Sequence, residues 1–187
     1  MALIDYVRRE DAEGEVRELL DDWIGGGTAN RSLLLEAIAN HPPLLEGMYT
    51  LLDRTIRSGS LDRELKELSS VVVSQANECE YCATSHRENL VDIVGMTEAE
   101  VEAVAEGRYD ELPPRERSVA EFAELAATDP KRITEADFDP LYEHGFDEED
   151  VVELLGVIGT FEAANTYVDA LSVHPADREE DYGDPLM

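Results

Sequence analysis

Positive charge, cysteine and long apolar runs are all scarce in this chain. Lysine occurs only at Lys66 and Lys131 among 187 residues. With the arginines, positive side chains number 15 against 44 aspartates and glutamates, a formal net charge of −29. Such a surface repels the phosphates of nucleic acid and of anionic membranes, so neither is an expected partner. No apolar stretch approaches the ~20 residues of a spanning helix. The first residues turn charged by Asp5 and lack the basic start and apolar run of a secretory leader. A strand-like alternation of useful length is missing as well, since Val71-Val72-Val73 lies within helical periodicity. With two cysteines there is no disulfide framework to staple the fold. At 43% hydrophobic residues and 20.8 kDa, none is needed to bury a core. These absences leave a cytoplasmic, all-α protein. One domain is expected over residues 1–172, with an acidic arm or tail over 173–187.

The acids sit on helix faces throughout instead of in one block, and lysine gives way to arginine. That pattern resembles proteins of salt-accumulating halophiles, where molar salt screens self-repulsion. The rival reading of the charge is mimicry of nucleic acid or recruitment of a basic partner.

Turn signals divide the chain into helices. Glu15 to Ile24 carries Leu19, Leu20 and Trp23 on one face and stops at Gly25-Gly26-Gly27. That glycine run lacks the lysine and following helix of a phosphate loop and reads as a hinge or turn. Helices are expected from Arg31 to Asn40 and from Pro43 through Ile56. Asp62 is a candidate cap for the next, which breaks at Asn77-Glu78. The segment containing both cysteines then starts a helix ending at Gly95. Thr97 and Glu100 form a capping box for a short helix closed by Gly107. Pro113-Pro114 opens a helix to Ala127. Thr134 and Asp147 are plausible caps for the last two, the final one reaching Leu171.

The chemistry concentrates in NECEYCATSH, residues 77–86, which holds both cysteines three positions apart and a histidine four further on. On a helix Cys79, Cys82 and His86 share one stripe, continued by Leu90, Ile93 and Val94, while Glu80, Arg87, Glu88 and Asp92 face solvent. The three are expected to be half sheltered at the edge of a core-facing surface, with Cys82 the more buried thiol. Cys79 falls near a helix N-terminus, where unpaired N–H groups and the dipole favour a thiolate. A neighbouring imidazole can stabilise that thiolate or take its proton. If one thiol is oxidised to a sulfenic acid, the other can close a disulfide and expel water. Cys82 lies one turn closer to His86, which suggests Cys82 as attacking thiol and Cys79 as resolving thiol, while spacing alone also supports the reverse.

Glu67 enters through the hairpin. With a reversal at Asn77-Glu78, ten residues back and nine forward correspond to roughly 15 and 13 Å of helix. Glu67 and His86 then stand at the same level, where a carboxylate would orient the imidazole and raise its basicity. The plainer reading makes Glu67 a solvated partner of Lys66 or Arg63.

Glu67, eleven residues, Cys79-x-x-Cys82, three residues and His86, within an all-α chain, resembles the alkyl hydroperoxidase D family of the carboxymuconolactone decarboxylase-like superfamily. The branch it resembles most is the peroxidase-related enzymes. The similarity runs from about Thr28 to Leu171. It includes RSLLLEAIANHPPLLEGMYTLLDRTIRSGSLDRELKELSSVVVSQANECEYCATSH and the later YDELPPRERSVAEFAELAATDP and FDEEDVVELLGVIGTFEAANTYVDAL. The resemblance implies a helical bundle with the cysteine pair at the N-terminus of a core helix. It implies an enzyme that reduces hydroperoxides, or a partner peroxiredoxin, through a disulfide cycle. By position, Cys82 would attack the peroxide, Cys79 would resolve, and His86 with Glu67 would relay protons through a water. No bound cofactor is implied, only an external dithiol reductant of dihydrolipoamide type, and a homo-oligomer (dimer, trimer or hexamer). Tyr81 departs from the pattern of a histidine between the cysteines; it cannot act as a base at neutral pH, though its hydroxyl can donate a hydrogen bond.

Two other readings compete. A metal site would need four ligands, and Cys79, Cys82 and His86 supply three, with His41, His144 or His174 as a fourth; each of these sits at an ordinary helix end. Alternatively the protein is a non-enzymatic oligomeric binding module. Asn165 and Tyr167 on the last helix are possible pocket residues with nothing in their spacing to separate them from core.

Overall fold

The computed structural model describes residues 2–25 and 32–177. The hinge expected at Gly26-Gly27, the helix start at Arg31 and residues 178–187 of the arm lie outside them. The described residues are helical with no strand. In chain order the α-helices are α1 (Gly14–Gly25), α2 (Leu33–Ile38), α3 (Pro42–Leu52), α4 (Arg63–Ala76), α5 (Glu80–Asn89), α6 (Glu98–Ala105), α7 (Pro114–Thr128), α8 (Asp139–Glu143) and α9 (Glu148–Ala170). Wider π-turns extend α3 through Asp53–Arg57 and α5 through Leu90–Val94. Among the described residues no helix is long and apolar enough to cross a membrane.

The chain forms two compact units, one of residues 1–54 with 166–187, the other of residues 55–165. In the first, Glu36 is buried, and its carboxylate takes Arg8 Nη1 at 3.2 Å while its carbonyl accepts the Val7 N–H. The start of the expected arm is packed here as well. Val173 and Asp177 are buried, and the Tyr6 hydroxyl donates to Asp177 at 2.7 Å.

The second unit is built around α4, packed by α5, α6 and α7. Leu65, Leu68, Val71, Val72 and Val73 are each 1% exposed or less, so the helix is covered on every side. Each such side chain contributes about 1.5–3 kcal/mol by leaving water. Two buried serines return their hydroxyls to the helix: Ser69 Oγ donates to the Leu65 carbonyl and Ser70 Oγ to the Lys66 carbonyl, both at 2.7 Å.

Several expected caps hold. Thr97 and Glu100 make a complete capping box, and Asp147 Oδ1 accepts the N–H groups of Glu149 and Asp150. Two differ. Asp62 occupies the N-cap of α4, but its carboxylate pairs with Arg115 at 2.8 Å instead of capping. Thr134 caps a single 3₁₀ turn, Glu135–Asp137, because Pro140 restarts the chain as the short α8.

Within α4, Lys66 is 2% exposed, and its Nζ reaches Glu153 of α9 at 2.6 Å and the Ser58 carbonyl at 2.5 Å. Glu153 also accepts the Ser60 N–H at 2.7 Å and the Ser60 hydroxyl at 2.8 Å. Gly59 sits in this clasp at φ +110°, where an added Cβ would fall 2.0 Å from the Glu153 carboxylate.

Candidate active site

The break at Asn77-Glu78 is a C-terminal Schellman turn. Glu78 N–H bonds to the Gln75 carbonyl at 3.0 Å and Cys79 N–H to the Ser74 carbonyl at 2.8 Å. Glu78 takes the left-handed φ of +57° that this turn requires and that glycine usually supplies. Cys79 thereby closes α4 and also stands as the N-cap of α5, with Ala83 N–H returning to its carbonyl at 3.0 Å. Cys82 follows in the first turn. Both side chains are buried thiols, 1% and 3% exposed. The expectation of half-sheltered sulfurs, with Cys82 the more buried, is corrected: the tight turn draws Cys79 inward as fully as Cys82. Tyr81 between them is also buried, at 5%.

The reversal brings α4 and α5 side by side, and Glu67 meets His86. Glu67 is 0% exposed, and its Oε2 lies 2.5 Å from His86 Nδ1. Its other oxygen receives Arg63 Nε at 2.5 Å from one turn earlier, and Asn89 Nδ2 donates to Oε2 at 3.2 Å. The two readings of Glu67 therefore coexist: Arg63 is its partner, while the carboxylate is buried and not solvated. Burial by itself would raise the Glu67 pKa. His86, Arg63 and Asn89 outweigh it and hold the carboxyl below its ordinary 4.5. An ionised Glu67 can only accept, so Nδ1 carries the proton and neutral His86 keeps its lone pair on Nε2. The imidazole is held edge-on against Phe161 of α9, centroids 4.5 Å apart at 86°.

Sequence spacing did not single out Asn89 or Phe161 as parts of this cluster, and it offered Arg63 only as a solvated partner of Glu67. The offset from Arg63 to Glu67, one helical turn, is a common surface-pair spacing. Asn89 falls three residues after His86, and its role follows only from the facing helix. Phe161 is 75 positions from His86, and nothing local marks it. Asn165, one turn beyond Phe161, is 2% exposed; its Oδ1 takes the Ser74 hydroxyl at 3.3 Å. Tyr167 belongs to the other unit.

The remaining histidines serve helix ends: His41 Nδ1 accepts the Leu44 N–H, His174 Nδ1 accepts the Ala176 N–H, and His144 ends α8. Among the described residues, no group of three or more His, Cys, Asp or Glu side chains is placed to hold a metal ion. A groove of about 570 Å³ lies between α5 and α6, lined by Arg87, Glu88, Val91, Val101 and Glu102 among others. It runs along the outer face of α5 and does not include Glu67, Cys79, Cys82 or His86.

A buried dithiol one turn from an imidazole, itself oriented by a buried carboxylate, can lose a proton, accept an oxygen atom and close a disulfide. Known proteins share this helical frame. A solved alkylhydroperoxidase AhpD core, an uncharacterized peroxidase-related protein of Ralstonia eutropha JMP134, superposes with a TM-score of 0.84. It is 22% identical, over 95% of this chain and 93% of that one. The debrominase Bmp8 in complex with 2,3,4-tribromopyrrole superposes with a TM-score of 0.78 at 19% identity, over 94% of each chain. An uncharacterized protein of Bacillus subtilis, YdfG, is 29% identical over 124 residues, 64% of this chain and 83% of its own. Residues 42–124, which contain α4, α5 and the whole Glu67–Cys79–Cys82–His86 cluster, match the carboxymuconolactone decarboxylase family. The chain has the helical fold of that alkylhydroperoxidase AhpD core, and the match to the carboxymuconolactone decarboxylase family covers residues 42–124 of its 187.

Proposed function

We propose that the protein is a thiol–disulfide peroxidase that reduces hydroperoxides, or a partner peroxiredoxin, by cycling Cys79 and Cys82 between dithiol and disulfide. The observation that carries this reading is the Glu67–His86 hydrogen bond, which leaves His86 Nε2 as a base one helical turn from Cys82. The base takes the Cys82 proton. The thiolate attacks the distal oxygen of the hydroperoxide: an S–O bond forms, the O–O bond breaks, and the departing alkoxide takes a proton and leaves as an alcohol. The Cys79 sulfur then attacks the sulfenic acid, the S–S bond forms, and the hydroxyl leaves as water after taking the remaining thiol proton. An external dithiol of dihydrolipoamide type returns both thiols and is itself oxidised to a disulfide. Tyr81 stands where a second base would sit and offers a hydroxyl only, so the relay through His86 carries the proton transfer.

The working state is a homo-oligomer in the cytoplasm. Val152 and Leu155, three apart on α9, are 69% and 40% exposed, an apolar stripe suited to a second copy. A reducing compartment keeps the two thiols ready for turnover.

The test is peroxide consumption in molar KCl with dihydrolipoamide, wild type against Cys82→Ser. Turnover that vanishes in the variant is the expected result. A wild type that forms and reduces its disulfide without consuming peroxide would instead make the pair a relay to a separate peroxidase.

A further inference from the structure

Asn165 is the one buried amide whose nitrogen has no use in the fold as described. The residue is 2% exposed, its Oδ1 accepts from Ser74 Oγ, and its Nδ2 is buried without a hydrogen-bond partner among the described residues. A buried donor left unmet is uncommon in a folded protein and asks for an acceptor that appears only in some states. Its place in the helices says where that acceptor arises. Phe161 of α9 rests on His86, whereas Asn165, one turn later, meets Ser74, whose carbonyl holds the N–H of Cys79. Going from Phe161 to Asn165 therefore leads along α5 from His86 toward its N-terminus. Four residues span about 6 Å on either helix, and four residues before His86 on α5 is Cys82.

From this placement we infer that Asn165 donates its Nδ2–H to the sulfur of Cys82 once that thiol has lost its proton, making it a residue of the reaction and not of the core. A thiol is a weak acceptor, and a thiolate is a strong one, so the hydrogen bond forms when the charge does. Ser74, through Oδ1, fixes which end of the amide faces away from α4. The inference rests on the peroxidase reading for its purpose, but its test does not.

In the full chain with Cys79→Ser, which keeps a good N-cap and leaves Cys82 as the single thiol, the rate of alkylation by iodoacetamide is followed against pH. Adding Asn165→Leu, similar in size and without a donor, is expected to move the midpoint upward. The rate at pH 7 then drops roughly tenfold, with the high-pH plateau unchanged. An unmoved midpoint overturns the assignment. A second readout needs no substitution at Asn165: in the unaltered protein, its side-chain amide resonances should titrate with the thiol. Resonances that stay still through the midpoint overturn it even if the leucine variant fails to fold. Neither readout involves peroxide. Lost turnover beside an Asn165-dependent midpoint rejects the peroxidase function alone, and turnover beside an unmoved midpoint rejects the role of Asn165 alone.

Discussion

His86 Nδ1 and Glu67 Oε2 lie 2.5 Å apart across the helical hairpin, 19 residues apart in the chain, with the carboxylate wholly buried. The bond sets the tautomer of the imidazole, and with it the atom free to take a proton. Glu67→Gln preserves shape but removes the negative charge. Thiol reactivity at neutral pH should slow by roughly 10- to 100-fold with helix content retained. Unchanged reactivity, measured by stopped-flow with a chromogenic disulfide, would make Glu67 a structural partner of Arg63 only.

Roles within the pair separate by trapping. Cys79→Ser should leave a sulfenic acid on Cys82 that dimedone captures, because the thiol that would resolve it is gone. Cys82→Ser should give no adduct with peroxide at all. Adducts on Cys79 in the second variant would reverse the assignment.

Burial raises, and partners lower, the pKa of both Glu67 and Glu153; in each the partners prevail and the folded-state value lies below the ordinary 4.5. A depressed carboxyl contributes stability that is fully present above the unfolded-state value and lost as pH falls through the folded-state value. Thermal unfolding followed by circular dichroism should therefore show a plateau near neutrality. The midpoint should fall as the pH drops below about 4.5. In Glu67→Gln the acid-side fall should be shallower.

The clasp of Lys66 with Glu153 pins the Ser58–Leu61 segment to α9. Lys66→Met keeps the stem and removes the charge, leaving Glu153 with its Ser60 bonds, whereas Glu153→Ala strands a buried ammonium. Urea titration should find the alanine variant less stable by about 3 kcal/mol and the methionine variant affected less. Equal losses would show that stem packing, not charge pairing, dominates.

A net charge of −29 on 187 residues makes salt a stabiliser. Between 0.1 M and 2 M KCl the Debye length shrinks from about 10 Å to under 3 Å. The melting temperature should rise over that range by roughly 10 °C or more. A flat response would remove the reading of the acidic surface as an adaptation to high salt.

Helix by helix, local signals were enough where one segment decides its own structure. The Thr97–Glu100 box, the Asp147 cap and the reversal at Asn77-Glu78 are short-range backbone chemistry, legible without knowing the fold. Even the level pairing of Glu67 with His86 follows from helical rise once the reversal is granted. Depth was not legible: a thiol at a helix start reads as half exposed, and only the Schellman turn, pulling Cys79 onto the Ser74 carbonyl, buries it. Nor could local pattern choose between Arg63 and His86 for Glu67, since a carboxylate has two oxygens and both are used.

What the sequence by itself determined is the helical class, the boundaries set by caps and prolines, and the chemistry of Cys79, Cys82 and His86 at one-turn spacing. Periodicity and capping act within about four residues. What only the tertiary structure decided is which helix covers that site. Phe161 and Asn165 come to His86 and Ser74 over separations of 75 and 91 residues, through packing of α9 that no local preference encodes. The burial that follows is what turns an exposed-looking motif into a sheltered, oriented one, because distance from the surface depends on the whole fold.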